Sequence, residues 1–168
     1  MKKYIIINGT MGAGKSITGR RTAELLGRAA FIEGDFVIEM FPHIDYNETK
    51  SMQKDNILHM SGNYYNFDKC DSIVLSWIMS ENTVKEIISG LSDFNFQIYN
   101  FVLTCSEETL TNRWKKDNIN DWRNDENLNM AINMLDDFNK RTDCILIDTS
   151  DLSVDKVVEK IIRRIHTF

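Results

Sequence analysis

The sequence predicts a three-layer α/β/α domain built on a parallel sheet, and three observations carry that expectation. An apolar run, Ile5-Ile6-Ile7, leads into the turn Gly9-Thr10-Met11-Gly12-Ala13-Gly14-Lys15-Ser16, which satisfies the phosphate-loop spacing G-x-x-x-x-G-K-[ST]. Short β-branched runs then alternate with helical periodicities along the chain, as right-handed crossovers between parallel strands require. The 168 residues are 42% hydrophobic and 27% charged, enough for one domain with a buried core. No repeat or low-complexity tract interrupts them, and the single proline, Pro42, marks no linker, so residues 1–168 read as one domain.

The elements follow in order. Tyr4 to Ile7 is an apolar strand of the kind covered on both faces of a parallel sheet. A helix runs from Lys15 to about Leu26, with Gly27 as its stop. A second strand, about Ala29 to Ile32, leads into Glu33-Gly34-Asp35. From about 36 to 71 the pattern is irregular, with short helical pieces, and an excursion of that length in a compact domain suggests a substrate-covering segment. Ser72 to Ile78 is the third strand, Glu81 to Leu91 an amphipathic helix, and Gln97 to Leu103 the fourth strand. Ser106 caps a helix to about Lys116, with Glu107 and Glu108 in the first turn, where the helix dipole favours carboxylates. A polar stretch, Asp117 to Asp125, separates it from a helix striped with Leu128, Ala131, Ile132, Leu135 and Phe138. Cys144 to Ile147 is the fifth strand, and a last amphipathic helix is entered near Ser153. Ligands of such a sheet bind at the carboxyl ends of the strands, which places the phosphate loop, Asp35, Ser76 and Thr104 on one rim.

Each residue type in the loop has a physical role. Gly9, Gly12 and Gly14 let the backbone curl, so that N–H groups from Met11, Ala13, Lys15, Ser16 and Ile17 converge on an anionic phosphate at a helix N-terminus. Lys15 supplies a mobile point charge for β- and γ-phosphates, and the Ser16 hydroxyl is a ligand for Mg²⁺. ATP with Mg²⁺ is the expected cofactor pair.

Composition narrows the partners. A net charge of −5 argues against a general nucleic-acid binder or an anionic-membrane surface. Cys70, Cys105 and Cys144 are odd in number and form no CxxC pair, so they read as reduced, buried thiols of a cytoplasmic protein. The N-terminal apolar run is too short for a signal peptide or a membrane span. A GTPase would show D-x-x-G and N-K-x-D, and neither is present; Asn139-Lys140-Arg141-Thr142 lacks the final Asp. The third strand carries no terminal carboxylate of the kind that oligomeric ATPases use, which leaves Glu33 and Asp35 after the second strand as the available acids.

The runs Gly12-Ala13-Gly14-Lys15-Ser16-Ile17-Thr18-Gly19-Arg20-Arg21, Ala23-Glu24-Leu25-Leu26-Gly27 and Phe31-Ile32-Glu33-Gly34-Asp35-Phe36 resemble the small-molecule kinases of the nucleoside-monophosphate-kinase fold. Shikimate kinases, gluconate kinases and antibiotic phosphotransferases belong to that group. The resemblance implies a phosphate-loop NTPase fold with strand order 2-3-1-4-5, a lid at about 113–127, and an acid after the second strand. It also implies roles. Asp35 would be the base or hydroxyl anchor, Glu33 a partner for a Mg²⁺-bound water, Arg113 an adenine-side contact and Arg123 a phosphate-side contact, with Lys116 as its rival. Thr149 falls in a loop similar to the one lining the adenine pocket.

The acceptor half is less defined. No glycine-rich turn follows strand three, as shikimate kinases have. The Asp-Phe-Leu-His-Pro of gluconate kinases becomes Asp35-Phe36-Val37-Ile38-Glu39. Tyr64, Tyr65, Phe67 and Trp77 could wall a ring, and His43 could meet substrate. The expectation is transfer of the γ-phosphoryl of ATP to a small-molecule hydroxyl. The alternatives are a nucleoside or nucleotide kinase, and an ATP-binding regulatory module without transfer activity. Either a monomer or a homodimer is compatible with the sequence.

Overall fold

Strands β1 (Lys2–Gly9), β2 (Ala29–Glu33), β3 (Ser72–Ser76), β4 (Phe96–Thr104) and β5 (Ile145–Asp148) form one parallel sheet in the order β2-β3-β1-β4-β5. The computed structural model describes residues 1–42, 44–117 and 122–166. Register puts Ile5 beside Val74 and Tyr99, so the central strand pairs along most of its length on both sides. The expected strand order and crossover pattern are those observed.

Alternation along β1 divides the core. Tyr4 and Ile6 face one side, packed with Ile73, Leu75 and Trp77 and covered by α2 (Tyr46–Tyr65) and α3 (Glu81–Gly90). Ile5 and Ile7 face the other, with Phe101 and Leu103, under α1 (Lys15–Leu26) and α6 (Val154–His166). A third cluster of Cys105, Leu110, Trp114, Ala131 and Leu135 joins α4 (Glu107–Lys116) to α5 (Asp125–Asn139) and includes the partly buried Met11 of the phosphate loop. The starts of α3, α4 and α5 carry side-chain caps: Ser80 accepts from the Thr83 N–H at 3.1 Å, Ser106 from Thr109 at 3.1 Å, and Asn124 from Asn127 at 2.9 Å. Cys70, Cys105 and Cys144 are unpaired, the first two buried and Cys144 only partly so. No described helix is long and apolar enough to cross a membrane.

The excursion departs from expectation. Instead of short helical pieces it holds one helix of 20 residues, α2, entered through the Asp45 side chain, which accepts from the Asn47 N–H at 2.8 Å. Its buried positions are Thr49, Gln53, Ile57 and Ser61, spaced four apart. Three of the four are polar, so no apolar stripe announces the helix. Their hydrogen bonds are made: Ser61 donates to the Ile57 carbonyl at 2.7 Å and meets the Tyr4 hydroxyl at 2.9 Å, while Gln53 donates to the Gly34 carbonyl at 2.6 Å. The same helix displaces the expected aromatic wall. Tyr65 packs on Phe94 and Phe96, at 5.0 and 4.8 Å between ring centroids, and Tyr64 lies in the same core, away from the rim. His43 and residues 118–121, in the middle of the expected lid, lie outside the described residues.

Gly34 links β2 to Asp35 where space is shortest: a Cβ there would lie 2.3 Å from Trp77 Cγ, and that ring is 2% exposed. Gly34→Ala is therefore expected to cost about 2 kcal/mol by overpacking and to lower Tm by roughly 6 °C in a thermal melt, and Gly27→Ala, with open space around it, about 1–2 kcal/mol through backbone strain at its positive φ alone.

Candidate functional site

The phosphate loop is held open from three sides. Asn8, fully buried at the end of β1, accepts from the Gly9 N–H at 2.8 Å and the Met79 N–H at 2.9 Å, and donates to the Met79 carbonyl at 2.8 Å. Thr10 donates to the Ala131 carbonyl of α5 at 2.8 Å. The loop also passes close to β4: a Cβ on Gly9 would sit 2.5 Å from the Leu103 carbonyl oxygen. Gly12 and Gly14 take φ of 79° and 91°, the left-handed backbone that an N–H-lined anion cradle needs. Ala13 is buried beneath it, and the exposed Ser16 opens α1.

Lys15 is 7% exposed, and its ammonium donates to the Thr10 carbonyl at 2.9 Å. Burial pushes its pKa down to about 8, against the attraction of Asp35 and Glu33 and with repulsion from Arg123. Lys15 is thus within electrostatic reach of two carboxylates and a guanidinium. Glu33 ends β2 opposite Ser76 of β3. Burial raises its carboxyl, with the Ser16 hydroxyl and the Lys15 charge pulling the other way and Asp35 adding to the rise. One Glu33 oxygen, Oε1, and the Ser76 hydroxyl are buried without a hydrogen-bond partner. Asp35 is exposed in the 3-10 turn Gly34–Phe36, whose path α2 pins through Gln53 on the Gly34 carbonyl and Asn56 on the Val37 carbonyl, at 2.6 and 2.9 Å.

Arg123 stands beside the phosphate loop. Its guanidinium lies over the Trp114 ring, 4.3 Å from the centroid, and pairs with Asp117 at 2.5 Å. Its Nη1 is buried with no partner, and a Cβ on Gly12 would lie 3.4 Å from that nitrogen. An unsatisfied cationic N–H beside an anion cradle is costly until an anion accepts from it.

Arg113 and Thr149 belong to a second cleft, of about 340 Å³, between the loop and the start of α6. Arg113 donates to the Thr149 hydroxyl at 3.0 Å and to its carbonyl at 2.7 Å. Thr149 in turn donates its hydroxyl to the Thr104 carbonyl at 2.9 Å, so its side chain holds the cleft together instead of reaching into it. Gly14 and the exposed Ile17 line the same cleft, with Leu152 opposite. Lys15, Ser16, Glu33, Asp35 and Arg123 thus share one rim, with Arg113, Thr149 and Ile17 in the adjoining cleft. Asn8, Thr10 and Gln53 escaped sequence reasoning. Asn8 and Thr10 flank the first loop glycine and could have been suspected; nothing local marks Gln53.

A cavity of about 390 Å³ opens on the other side of Asp35. Phe36, Ile38, Met40, Phe41, Ile44 and Tyr46 supply its apolar walls, Glu39 a second carboxylate, and Thr49 and Gln53 its floor on α2. Tyr46 stands edge-on to Trp77, 6.4 Å between centroids, so Trp77 alone of the four aromatics expected to wall a ring backs this cavity.

The depressed Lys15 pKa has a stability consequence. Between about pH 8 and its ordinary value the unfolded chain binds the extra proton, so the free protein gains stability as pH rises through that window. Lys15→Met is expected to stabilise the ligand-free chain by roughly 2 kcal/mol at pH 7, after subtracting the lost bond to Thr10, with the gain vanishing above about pH 10 in denaturant titrations.

No curated protein matches this chain. Among solved structures it is similar to the tunicamycin resistance protein of Deinococcus radiodurans, at 17% identity and a TM-score of 0.69, covering 98% of this chain and 96% of that one. A gluconokinase from Sinorhizobium meliloti 1021 is 19% identical, with a TM-score of 0.64 over 96% of this chain and 90% of that one. The shikimate kinase of Bacteroides thetaiotaomicron is 14% identical, with a TM-score of 0.64 over 98% of both chains. At such identities the likeness establishes the fold, which is that of the phosphate-loop small-molecule kinases. The family model described as an AAA domain matches residues 5–133, from the first strand through the phosphate loop to α5, and the chain belongs to that family.

Proposed function

We propose that the protein is an ATP- and Mg²⁺-dependent phosphotransferase that moves the γ-phosphoryl of ATP to a hydroxyl of a small molecule. The observation that carries this reading is the meeting, on one rim, of a buried lysine, a partnerless buried guanidinium nitrogen and an exposed carboxylate. Phosphoryl transfer asks the protein mainly for positioning and charge, and each need has a residue. The loop N–H groups and Lys15 hold the donor phosphates. Arg123 donates to the oxygens where charge collects in the transition state. Asp35 orients the acceptor hydroxyl and takes its proton. The cleft at Arg113 and Ile17, apolar on one wall, suits the adenine.

Ser16 and Glu33 would hold Mg²⁺, Ser16 as a direct ligand and Glu33 through water. The partnerless buried oxygen of Glu33 and the nearby Ser76 hydroxyl are compatible with that use. The ion would neutralise charge developing between the β- and γ-phosphates. Residues 36–71 hold no arginine, which favours a hydroxyl over a phosphate as acceptor.

An ADP-release screen against sugars, nucleosides, nucleotides and aminoglycoside-like compounds tests the reading, which fails if no compound exceeds the water-hydrolysis background. With a substrate in hand, Asp35→Asn should lower kcat by about 10²–10⁴-fold while ATP affinity changes less than about threefold. Arg123→Ala should lower kcat by about 10²–10³-fold. A parallel loss of ATP binding in Asp35→Asn would remove its acceptor-side role.

A further inference from the structure

The cavity beside Asp35 combines features that define what it can hold. Its volume of about 390 Å³ is in the range of small-molecule sites, and Asp35 stands at one wall. Phe36 and Phe41 leave 82% and 87% of their surface exposed, and Met40 and Tyr46 leave 41% and 47%. So much large apolar surface around one concavity is unusual on a soluble chain unless a ligand covers it. The charge of the lining has a single sign: Asp35 and Glu39 are its ionisable acids, and no lysine or arginine lines it among the described residues. Lys54, from the next turn of α2, is paired with Glu86. The cations of the site, Lys15 and Arg123, stand at the phosphate loop on the donor side.

We infer that this cavity is the acceptor subsite and that it takes a hydroxyl-bearing molecule with an apolar or aromatic face and no negative charge. The inference rests on the phosphotransferase reading above and specifies its second substrate. Sugar acids and nucleoside monophosphates are disfavoured: their anionic groups would meet Asp35 and Glu39, while Lys15 is engaged by the Thr10 carbonyl and Lys54 by Glu86. A neutral or cationic acceptor lays its apolar face against Phe36, Phe41 and Tyr46 and turns its hydroxyl to Asp35. In the transfer the acceptor oxygen bonds to Pγ, its proton passes to Asp35, and the bond from Pγ to the bridging oxygen breaks with its electron pair left on ADP.

Two dyes of one skeleton test the cavity without turnover: neutral N-phenylnaphthylamine and its anionic analogue anilinonaphthalene sulfonate, each titrated by fluorescence into the full chain. The neutral dye should bind at least about tenfold more tightly. Phe41→Ala, at an exposed position, should weaken it about fivefold or more, and Glu39→Lys should bring the two affinities within about threefold. Equal or tighter binding of the sulfonate by the wild type, or no effect of Phe41→Ala, overturns the assignment. Thymidine and thymidine monophosphate, compared as acceptors in the ADP-release assay, separate the two levels. Preferential transfer to the monophosphate overturns the acceptor class and leaves the phosphotransferase intact. Failure of the chain to bind ATP removes the phosphotransferase reading, whatever the dyes show.

Discussion

A lysine ammonium taken almost wholly out of water, with one carbonyl as its hydrogen-bond partner, sets the terms for the structure around it. Such a group is tolerated only where opposite charge stands near and the backbone beneath it cannot relax. Glu33 and Asp35 supply the charge from the end of β2. Asn8 and Thr10 supply the rigidity, tying the loop to Met79 and Ala131 on separate parts of the fold. Phosphate binding would relieve the strain of that arrangement, so the loop is organised before the ligand that needs it.

The same economy of polar groups runs through α2. A helix whose buried face is Thr49, Gln53, Ile57 and Ser61 packs with less apolar area than its length allows. What it gains is control of the backbone leading to Asp35: Gln53 and Asn56 grip the carbonyls of Gly34 and Val37, and Trp77 closes on Gly34 from below. The catalytic candidate is exposed, but the turn that carries it is not free to move. On the opposite side of the loop, Trp114 performs a similar service for Arg123, giving the guanidinium a flat surface while Asp117 takes one of its nitrogens. One nitrogen is left over, buried against the loop.

Both halves of the site therefore show polar groups satisfied where they position something and unsatisfied where a ligand is expected. Glu33 Oε1, Ser76 Oγ and Arg123 Nη1 are buried without hydrogen-bond partners. The cavity beside Asp35 shows the apolar counterpart, aromatic rings exposed around a carboxylate. Cations stand at the phosphate loop with Glu33, while the cavity beyond Asp35 is lined by carboxylates without lysine or arginine among the described residues, a separation that, on the reading proposed above, would orient two unlike substrates across Asp35.

By itself the sequence determined the sheet, the helices with apolar stripes, and the donor loop. These are legible because each is written in contiguous residues: a β-branched run, a 3.6-residue period, or a glycine spacing that the backbone geometry demands. Strand ends shifted by a residue or two, as local patterns allow. Tertiary structure alone decided α2, whose polar buried face hides its period, and with it the dispersal of Tyr64 and Tyr65 into the core. It also decided the acceptor walls, because Phe36, Phe41 and Tyr46 become one surface only when the chain turns back on α2. The positions that separate Arg113 from Arg123 were set the same way. The two lie within a dozen residues of each other, but Thr149, from the loop after β5, captures the first, and Trp114 of α4 the second.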